Sequence, residues 1–416
     1  MFFFYQILLT IIIILSPFIV FVRIIKNKEH KKRFIEKFSI PTLKRKNGNL
    51  VWFHGASVGE LLSIIPIIKN LEKNKSVNQI LITSSTLSSS KVLKKFKFKK
   101  TFHQFFPIDH AIFVNKFLKY WKPSISIFVE SEIWPSMFRV LDYKNIPLIL
   151  LNARLTKKTF NKWIKFKNFA QSVFCKIKYS YPQNLETKSF LKTLSVLNIN
   201  NIGNLKFIQN KDKQNDKINS KLKNQLKSKK IWVAASTHKN EEIFCAKAHI
   251  LLKKRIKNLI TIIIPRHVHR TNQITSEIKK LKLNVVSHSS KNKNLNDADI
   301  YIVDTFGETE KFYKIGCSVF LGGSIIKRGG QNPLEPARYG AKILHGPNTD
   351  NFIDIYKLLR SLKISKKITS PKELAHSIVF RRRREIGVKL KNIGEIILKK
   401  TIKELNSLIN NEFKKT

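Results

Sequence analysis

Hydrophobic residues fall along this chain in three regimes. The first is an uncharged apolar block, residues 2–22, almost entirely Phe, Ile, Leu and Val. At about 1.5 Å per residue it reaches about 30 Å, the thickness of one bilayer core. No basic residue precedes it and no small-x-small cleavage site follows, so it reads as a retained anchor rather than a signal peptide. Arg23, Lys26, Lys28, Lys31, Lys32 and Arg33 come next, which by the positive-inside rule puts the remainder in the cytoplasm. Pro17 and the polar Gln6, Thr10 and Ser16 leave two alternatives, a partly inserted helix or one docked on protein.

From Asn49 onward short apolar runs alternate with longer stretches of helical period. Strands are expected at 50–53, 79–83, 124–129 and 148–152, with helices such as 61–71 and 111–121 between them. After a Lys/Asn-rich connector the pattern resumes, with strands expected at 231–235, 259–264, 300–303, 318–321 and 342–345 and helices at 241–254 and 308–315. Alternation of this kind predicts α/β architecture, parallel sheets covered by helices on both faces. The third regime, 371–416, is amphipathic, with Ile393, Ile396, Ile397, Ile402, Leu405 and Leu408 spaced for one helix face that packs back on a domain. The expected division is therefore an anchor (1–25), a first Rossmann-like domain (26–208), a connector (209–230), a second Rossmann-like domain (231–370) and carboxyl-terminal helices (371–416). Ligands of open α/β sheets bind beyond the carboxyl ends of the strands, and two such domains in tandem set two rows of strand ends across a cleft.

Composition changes this picture little. With 416 residues, 43% of them hydrophobic and 25% charged, the chain can bury the cores of two or three domains. The formal net charge of +52 suggests an anionic partner, but Lys, Asn and Ile are abundant and Arg, Gly and Ala scarce, as AT-rich codon usage would produce throughout a proteome. No RNP motif, zinc-finger spacing or aromatic-interleaved basic segment is read in it, so nucleic acid is not an expected partner. The four arginines at 381–384 suit either a solvated face or contact with anionic lipid. Cys175, Cys245 and Cys317 lie far apart without C-x-x-C spacing, which fits a reducing compartment and implies no zinc site.

The chemistry-bearing residues gather in the loops after the strands. His54-Gly55-Ala56-Ser57-Val58-Gly59-Glu60 comes first, and Ser57 to Glu60 fits a capping box as well as it fits a carboxylate aimed at a ligand. Glu130-Ser131-Glu132 and Asn152-Ala153-Arg154 follow; Pro135 predicts a turn after Glu130 rather than a continued strand. In the second half, Arg266 suits bidentate pairing with phosphate or a surface salt bridge, while His238, His267 and His269 lack metal-ligand spacing. The segment Asn332-Pro333-Leu334-Glu335 looks like a helix start whose N–H groups suit phosphate, with Glu335 placed for a ribose diol. No metal site is expected.

Together these segments resemble the Kdo transferases, the 3-deoxy-D-manno-octulosonic acid transferases of lipopolysaccharide synthesis. The matching motifs, in the family's order, are GASVGE (55–60), FVESEIWPS (128–136), NARL (152–155), GNLKF (203–207), AASTH (234–238), PRH (265–267), DTFGE (304–308), GGS (322–324) and NPLEPA (332–337). The resemblance covers nearly the whole chain and implies a GT-B-type fold, with two Rossmann-like domains facing across a cleft behind an amino-terminal membrane-anchor helix. It implies CMP-Kdo as donor, a lipid A precursor (lipid IVA) as acceptor, no cofactor, and a place on the cytoplasmic side of the inner membrane. It implies Glu60 as general base, Glu130 and Lys206 as stabilisers of the transition state, and Pro265, Arg266, Phe306, Gly307, Glu308, Asn332, Pro333, Leu334 and Glu335 as the CMP contacts. One departure is Asn348, where the family often carries His. A carboxylate at a helix start would normally have a lowered pKa, making Glu60 ionised but only modestly basic. A GT-B enzyme using another nucleotide sugar is the alternative reading.

Overall fold

Every apolar run predicted as a strand is a strand. The computed structural model describes residues 1–208, 218–290 and 294–414. In it β1 (Leu50–His54), β2 (Gln79–Ser84), β3 (Thr101–Phe105), β4 (Ile125–Val129), β5 (Leu148–Ala153) and β6 (Tyr179–Pro182) form one parallel sheet in the order β3-β2-β1-β4-β5-β6. A second parallel sheet is built from β7 (Lys230–Thr237), β8 (Leu259–Pro265), β9 (Val285–Ser287), β10 (Ile300–Ile302), β11 (Ser318–Leu321), β12 (Lys342–His345) and β13 (Ser365–Lys367). Its order is β13-β12-β11-β7-β8-β10-β9. The four strands absent from the sequence reading, β3, β6, β9 and β13, are the four sheet edges. Edge positions are partly exposed and tolerate sequences such as Thr-Phe-His-Gln-Phe or Ser-Lys-Lys, which carry no continuous apolar run.

The chain divides into two compact units, Met1–Lys211 together with Gly394–Thr416, and Asp212–Ile393. In the first, all of β1 is buried, and Trp52 packs within 4.9 Å of Phe117 and 5.2 Å of Phe128 between ring centroids. In the second, Trp232 and Ile263 from the central strands pack with Ile274, Ile278 and Leu374 from the covering helices. Residues 209–217 of the expected connector lie outside the described residues; the rest carries a helix, Ser220–Leu226, held by buried Leu222 and Leu226. At the carboxyl end, helix Arg384–Phe413 reaches the first unit, where Glu404 accepts from the Tyr181 hydroxyl (3.2 Å) and Glu412 pairs with Lys178 (2.8 Å).

The apolar block forms the helix Phe2–Ile25, about 36 Å long. Its polar residues face the protein. The Tyr5 hydroxyl donates to Asp109 (2.7 Å), the Gln6 amide donates to Ser136 (2.7 Å), and the Gln6 carbonyl accepts from the Ala111 N–H (3.1 Å). Phe3, Phe4, Ile7, Leu8, Ile14 and Phe18 remain exposed. The helix therefore has two faces, one whose polar groups find partners on the protein and one that is apolar and exposed.

After the helix, the turn Arg33–Phe38 is fastened to β3 by one buried carboxylate. Glu36 accepts from Arg33 (2.7 and 3.0 Å), from the Phe105 N–H (2.8 Å) and from the Thr42 hydroxyl. Replacing Glu36 by Ala leaves the Arg33 charge and the Phe105 N–H without their acceptor, a loss of about 3–5 kcal/mol. Urea unfolding of Glu36→Ala is expected to show the amino-terminal unit melting first, with the transition of the other unit unmoved.

Candidate active site

In the first sheet the chain order reverses between β1 and β4, so their outgoing loops diverge and leave a crevice at the strand ends. Glu60 follows β1 and Glu130 follows β4. Leaving β1, Ser57 caps the helix Val58–Leu71 by accepting from the Glu60 N–H at 3.3 Å. The Glu60 carboxylate turns back: Oε2 accepts from the Ala56 N–H (2.7 Å) and the Ser57 N–H (3.4 Å), and Oε1 from the Ser57 hydroxyl (2.7 Å). These bonds occupy three of about four lone-pair positions and fix the group in one orientation, with room for one further donor.

Burial is the main influence on this carboxyl and raises its pKa to about 7; the Ser57 hydroxyl pulls it down, and the charges of Glu132 and Glu130 push it up again. The lowered value expected from a helix start is thus corrected. Desolvation and two like charges outweigh the helix end and its hydrogen bonds.

Glu130 itself is 7% exposed and adopts φ +58°. Leaving β4 in the left-handed region turns the chain away from the sheet, in agreement with the turn predicted from Pro135. Its carboxylate pairs with the Lys206 ammonium at 3.1 Å and accepts from the Asn152 amide at 3.4 Å. Asn152, at the end of β5, also accepts from the Leu205 N–H (3.0 Å), so one side chain fastens the Lys206 turn to the strand ends. Glu132 is held by buried His54 (Nε2, 3.0 Å) and by the Trp134 indole N–H (2.9 Å), and His54 is held in turn by Thr83 Oγ1 (2.9 Å). Burial lowers the His54 pKa, which favours the neutral ring.

In the second sheet the reversal falls between β7 and β11, and the loops after β11, β7, β8 and β10 are consecutive along the sheet. They carry Gly322-Gly323-Ser324, Thr237-His238, Pro265-Arg266-His267 and Phe306-Gly307-Glu308. Gly322 has no room for a side chain; a Cβ there would lie 2.3 Å from the Ser236 carbonyl oxygen. Pro265 is buried as the last residue of β8, whereas Arg266 is exposed beyond it. Burial lowers the His238 pKa first; the Glu241 charge pulls it back up, and His267, Arg328 and Arg266 lower it further. Phe306 is 80% exposed, Gly307 takes φ +87°, and Glu308 pairs with Lys311 (2.8 Å).

Two expectations change at this end. The helix expected after Asn332 is short, Leu334–Ala337, and the Asn332 side chain accepts from the Leu334 N–H at 3.1 Å, so this segment offers a turn more than a helix dipole. Pro333 and Leu334 are buried while Glu335 is exposed. The backbone N–H groups best arranged for an anion belong to His238, Gly323, Ser324 and Ile325, and all four donate to buried Glu241 at 2.7–3.1 Å. Asn348 donates its amide to the Ser324 and Ile325 carbonyls (3.2 and 3.0 Å).

Comparison with known proteins identifies the family. Residues 31–209 match the family model described as 3-Deoxy-D-manno-octulosonic-acid transferase (kdotransferase). A 3-deoxy-D-manno-octulosonic acid transferase of Rickettsia bellii is 34% identical over 381 residues, covering 92% of this chain and 91% of the relative. The chain belongs to the Kdo transferase family. The transferase of Haemophilus influenzae is 29% identical, with 74% of this chain and 73% of that protein aligned. Among solved structures, a glycosyltransferase from Rickettsia africae superposes with TM-score 0.55 at 13% identity, over 89% of this chain and 100% of that one. A UDP-GlcNAc 2-epimerase from Neisseria meningitidis gives 0.50 at 14%, over 86% and 100%. These likenesses concern the fold, which is of GT-B type with two parallel-sheet α/β domains.

Reading this Kdo transferase from sequence left out several residues that organise the two crevices. Asn152 lay within a recognised motif but gave no sign of bridging Glu130 and the Lys206 turn. Glu241 and Arg328 had no motif to mark them, and His54 and Glu132 are joined across 78 positions by a contact that no spacing rule contains. The Glu60 environment can be tested directly. The carboxyl 13C signal missing from Glu60→Gln is expected to titrate near pH 7, protonated below and ionised above. Glu132→Gln is expected to lower that midpoint, and an unmoved midpoint would refute the coupling.

Proposed function

We propose that this Kdo transferase moves Kdo from CMP-Kdo to lipid IVA by direct displacement, with Glu60 as general base. The acceptor hydroxyl oxygen forms a bond to the ketosidic carbon, the bond from that carbon to the CMP phosphate oxygen breaks, and the hydroxyl proton passes to Glu60. The observation that carries this reading is a carboxylate at the β1–β4 reversal with its pKa raised to about 7, in a chain whose relatives are Kdo transferases along nearly its whole length. A base is most effective when its pKa lies near the working pH. The Glu130–Lys206 pair, 3.1 Å apart, stabilises the oxocarbenium-like centre and the developing charge beside it.

The carboxyl-terminal unit holds CMP. Arg266 with Arg328 supplies positive charge for the phosphate; Pro265, Phe306, Gly307, Glu308 and the turn Asn332, Pro333, Leu334 and Glu335 contact the nucleoside. CMP is itself a good leaving group, so no metal is assigned. The helix Phe2–Ile25 anchors the enzyme in the inner membrane with both units on the cytoplasmic side, and tethering there raises the effective concentration of a lipid-embedded acceptor.

Incubation of the purified protein with CMP-Kdo and lipid IVA is expected to add the mass of one or more Kdo residues to the acceptor, and the masses give the number transferred. An unchanged acceptor mass overturns the proposal. Glu60→Gln is expected to lower kcat about 10²–10⁴-fold, the usual worth of general-base assistance, while far-ultraviolet circular dichroism stays that of the parent. For the parent, kcat is expected to fall as pH drops through 7, because protonated Glu60 cannot take the proton.

A further inference from the structure

A cavity of about 550 Å³ opens in the amino-terminal unit beside the helix Leu87–Leu93, a volume in the range of small-molecule sites. Its wall is apolar, with Ile82, Leu93, Phe98 and Phe102, and its edge carries Lys32, Arg33 and Lys94. No acidic residue is among those lining it. Arg33 is engaged by Glu36 and by the His103 carbonyl oxygen, but the ammonium groups of Lys32 and Lys94 have no protein acceptor among the described residues. On the wall, burial first and then the charges of Arg33 and Lys94 push the His103 pKa down to about 3, so its ring stays neutral.

Two features tie this cavity to the reaction and to the bilayer. Ser89, on the helix whose Ser90 and Leu93 line the cavity, donates to the Ala56 carbonyl at 3.2 Å, in the loop that holds Glu60. About one helical turn separates the two contacts. Lys32 and Arg33 come seven and eight residues after the exposed apolar helix ends at Ile25, within about 30 Å of chain.

Lys94–Lys100 also corrects the sequence reading, since it places Phe96 and Phe98 among five lysines, a basic segment with interleaved aromatics. Such a segment suits single-stranded nucleic acid when its ring faces are open for base stacking. Here they are covered. Phe96 and Phe98 stack on each other with centroids 5.8 Å apart, Lys69 lies over Phe96 (5.5 Å) and Lys46 over Phe102 (5.2 Å).

We propose that this cavity takes one acyl chain of the phosphorylated glycolipid acceptor, with Lys32 and Lys94 at its edge meeting the anionic headgroup. The inference rests on the acceptor reading given under the proposed function. Its test uses the full chain in phosphatidylcholine nanodiscs and a lysophosphatidic acid whose tetradecanoyl chain carries a diazirine. Cross-links are expected on peptides spanning 82–103. Leu93→Trp, which fills the cavity, is expected to reduce them at least tenfold, and Lys94→Glu, at an exposed position, several-fold. In parallel, the ratio of kcat/KM for the acylated acceptor to that for its fully deacylated disaccharide is expected to fall at least tenfold in Leu93→Trp.

Labelling confined to the helix Phe2–Ile25, or labelling of Leu93→Trp equal to the parent's, overturns the proposal. So does displacement of the probe by oligothymidylate, which would mark a nucleic-acid surface. A parent enzyme that transfers to both acceptors, with a ratio unchanged in Leu93→Trp, sinks the cavity and leaves the proposed function standing. A parent that transfers to neither acceptor sinks the proposed function, and the labelling then decides the cavity by itself.

Discussion

Two wholly parallel sheets impose the constraint from which the rest of the molecule follows. Every strand must leave at the same end of its sheet and return through a crossover, so polar residues that cannot enter the buried strands collect in the loops at that end. Where the chain order reverses, neighbouring loops turn in opposite directions and a crevice opens without any residue having to create it. In the amino-terminal unit the crevice falls between β1 and β4 and brings Glu60, Glu130 and Glu132 into electrostatic reach of one another. The carboxyl-terminal unit has its reversal between β7 and β11, where Gly322 lets two loops approach more closely than any side chain would permit.

Within the first crevice, capping and the proposed role as base make the same demand on Glu60. A base must be held still and kept partly from water, and the capping box does the holding through Ala56 and Ser57. Hydrogen bonds of that kind stabilise the charged form, and by themselves would make a weak base. Burial with Glu132 and Glu130 nearby works in the opposite sense and prevails. The buried His54 and the Trp134 indole keep Glu132 in place, so an aromatic cluster under β1 contributes to the proton affinity of a group it does not touch.

The large positive charge is a poor guide when summed and an informative one when located. Much of it is lysine spread along the chain, as AT-rich codon usage would produce. Part is committed to protein carboxylates, as with Lys178 and Lys206, and part meets backbone carbonyls, as with Lys100. What remains uncompensated beside an apolar cavity points to an anionic ligand more specifically than +52 for the whole chain does.

The sequence by itself determined the α/β class, the central strands, the apolar amino-terminal helix and the family. Buried parallel strands must be continuously apolar and their terminal loops must carry the chemistry, and both patterns are local. It did not reveal the edge strands, because exposure relaxes the demand for apolar residues at β3, β9 and β13, and β6, though mostly buried, is only the four residues Tyr-Ser-Tyr-Pro. Nor did it reveal that Glu241 gathers four backbone N–H groups, that Asn152 bridges β5 to the Lys206 turn, or that Lys94–Lys100 borders a cavity. Those contacts join residues tens of positions apart, and only the crossover path of the folded chain sets the distances between them. The raised pKa of Glu60 belongs to the same class: its sign depends on burial and on two neighbouring charges, neither of which its own helix start encodes.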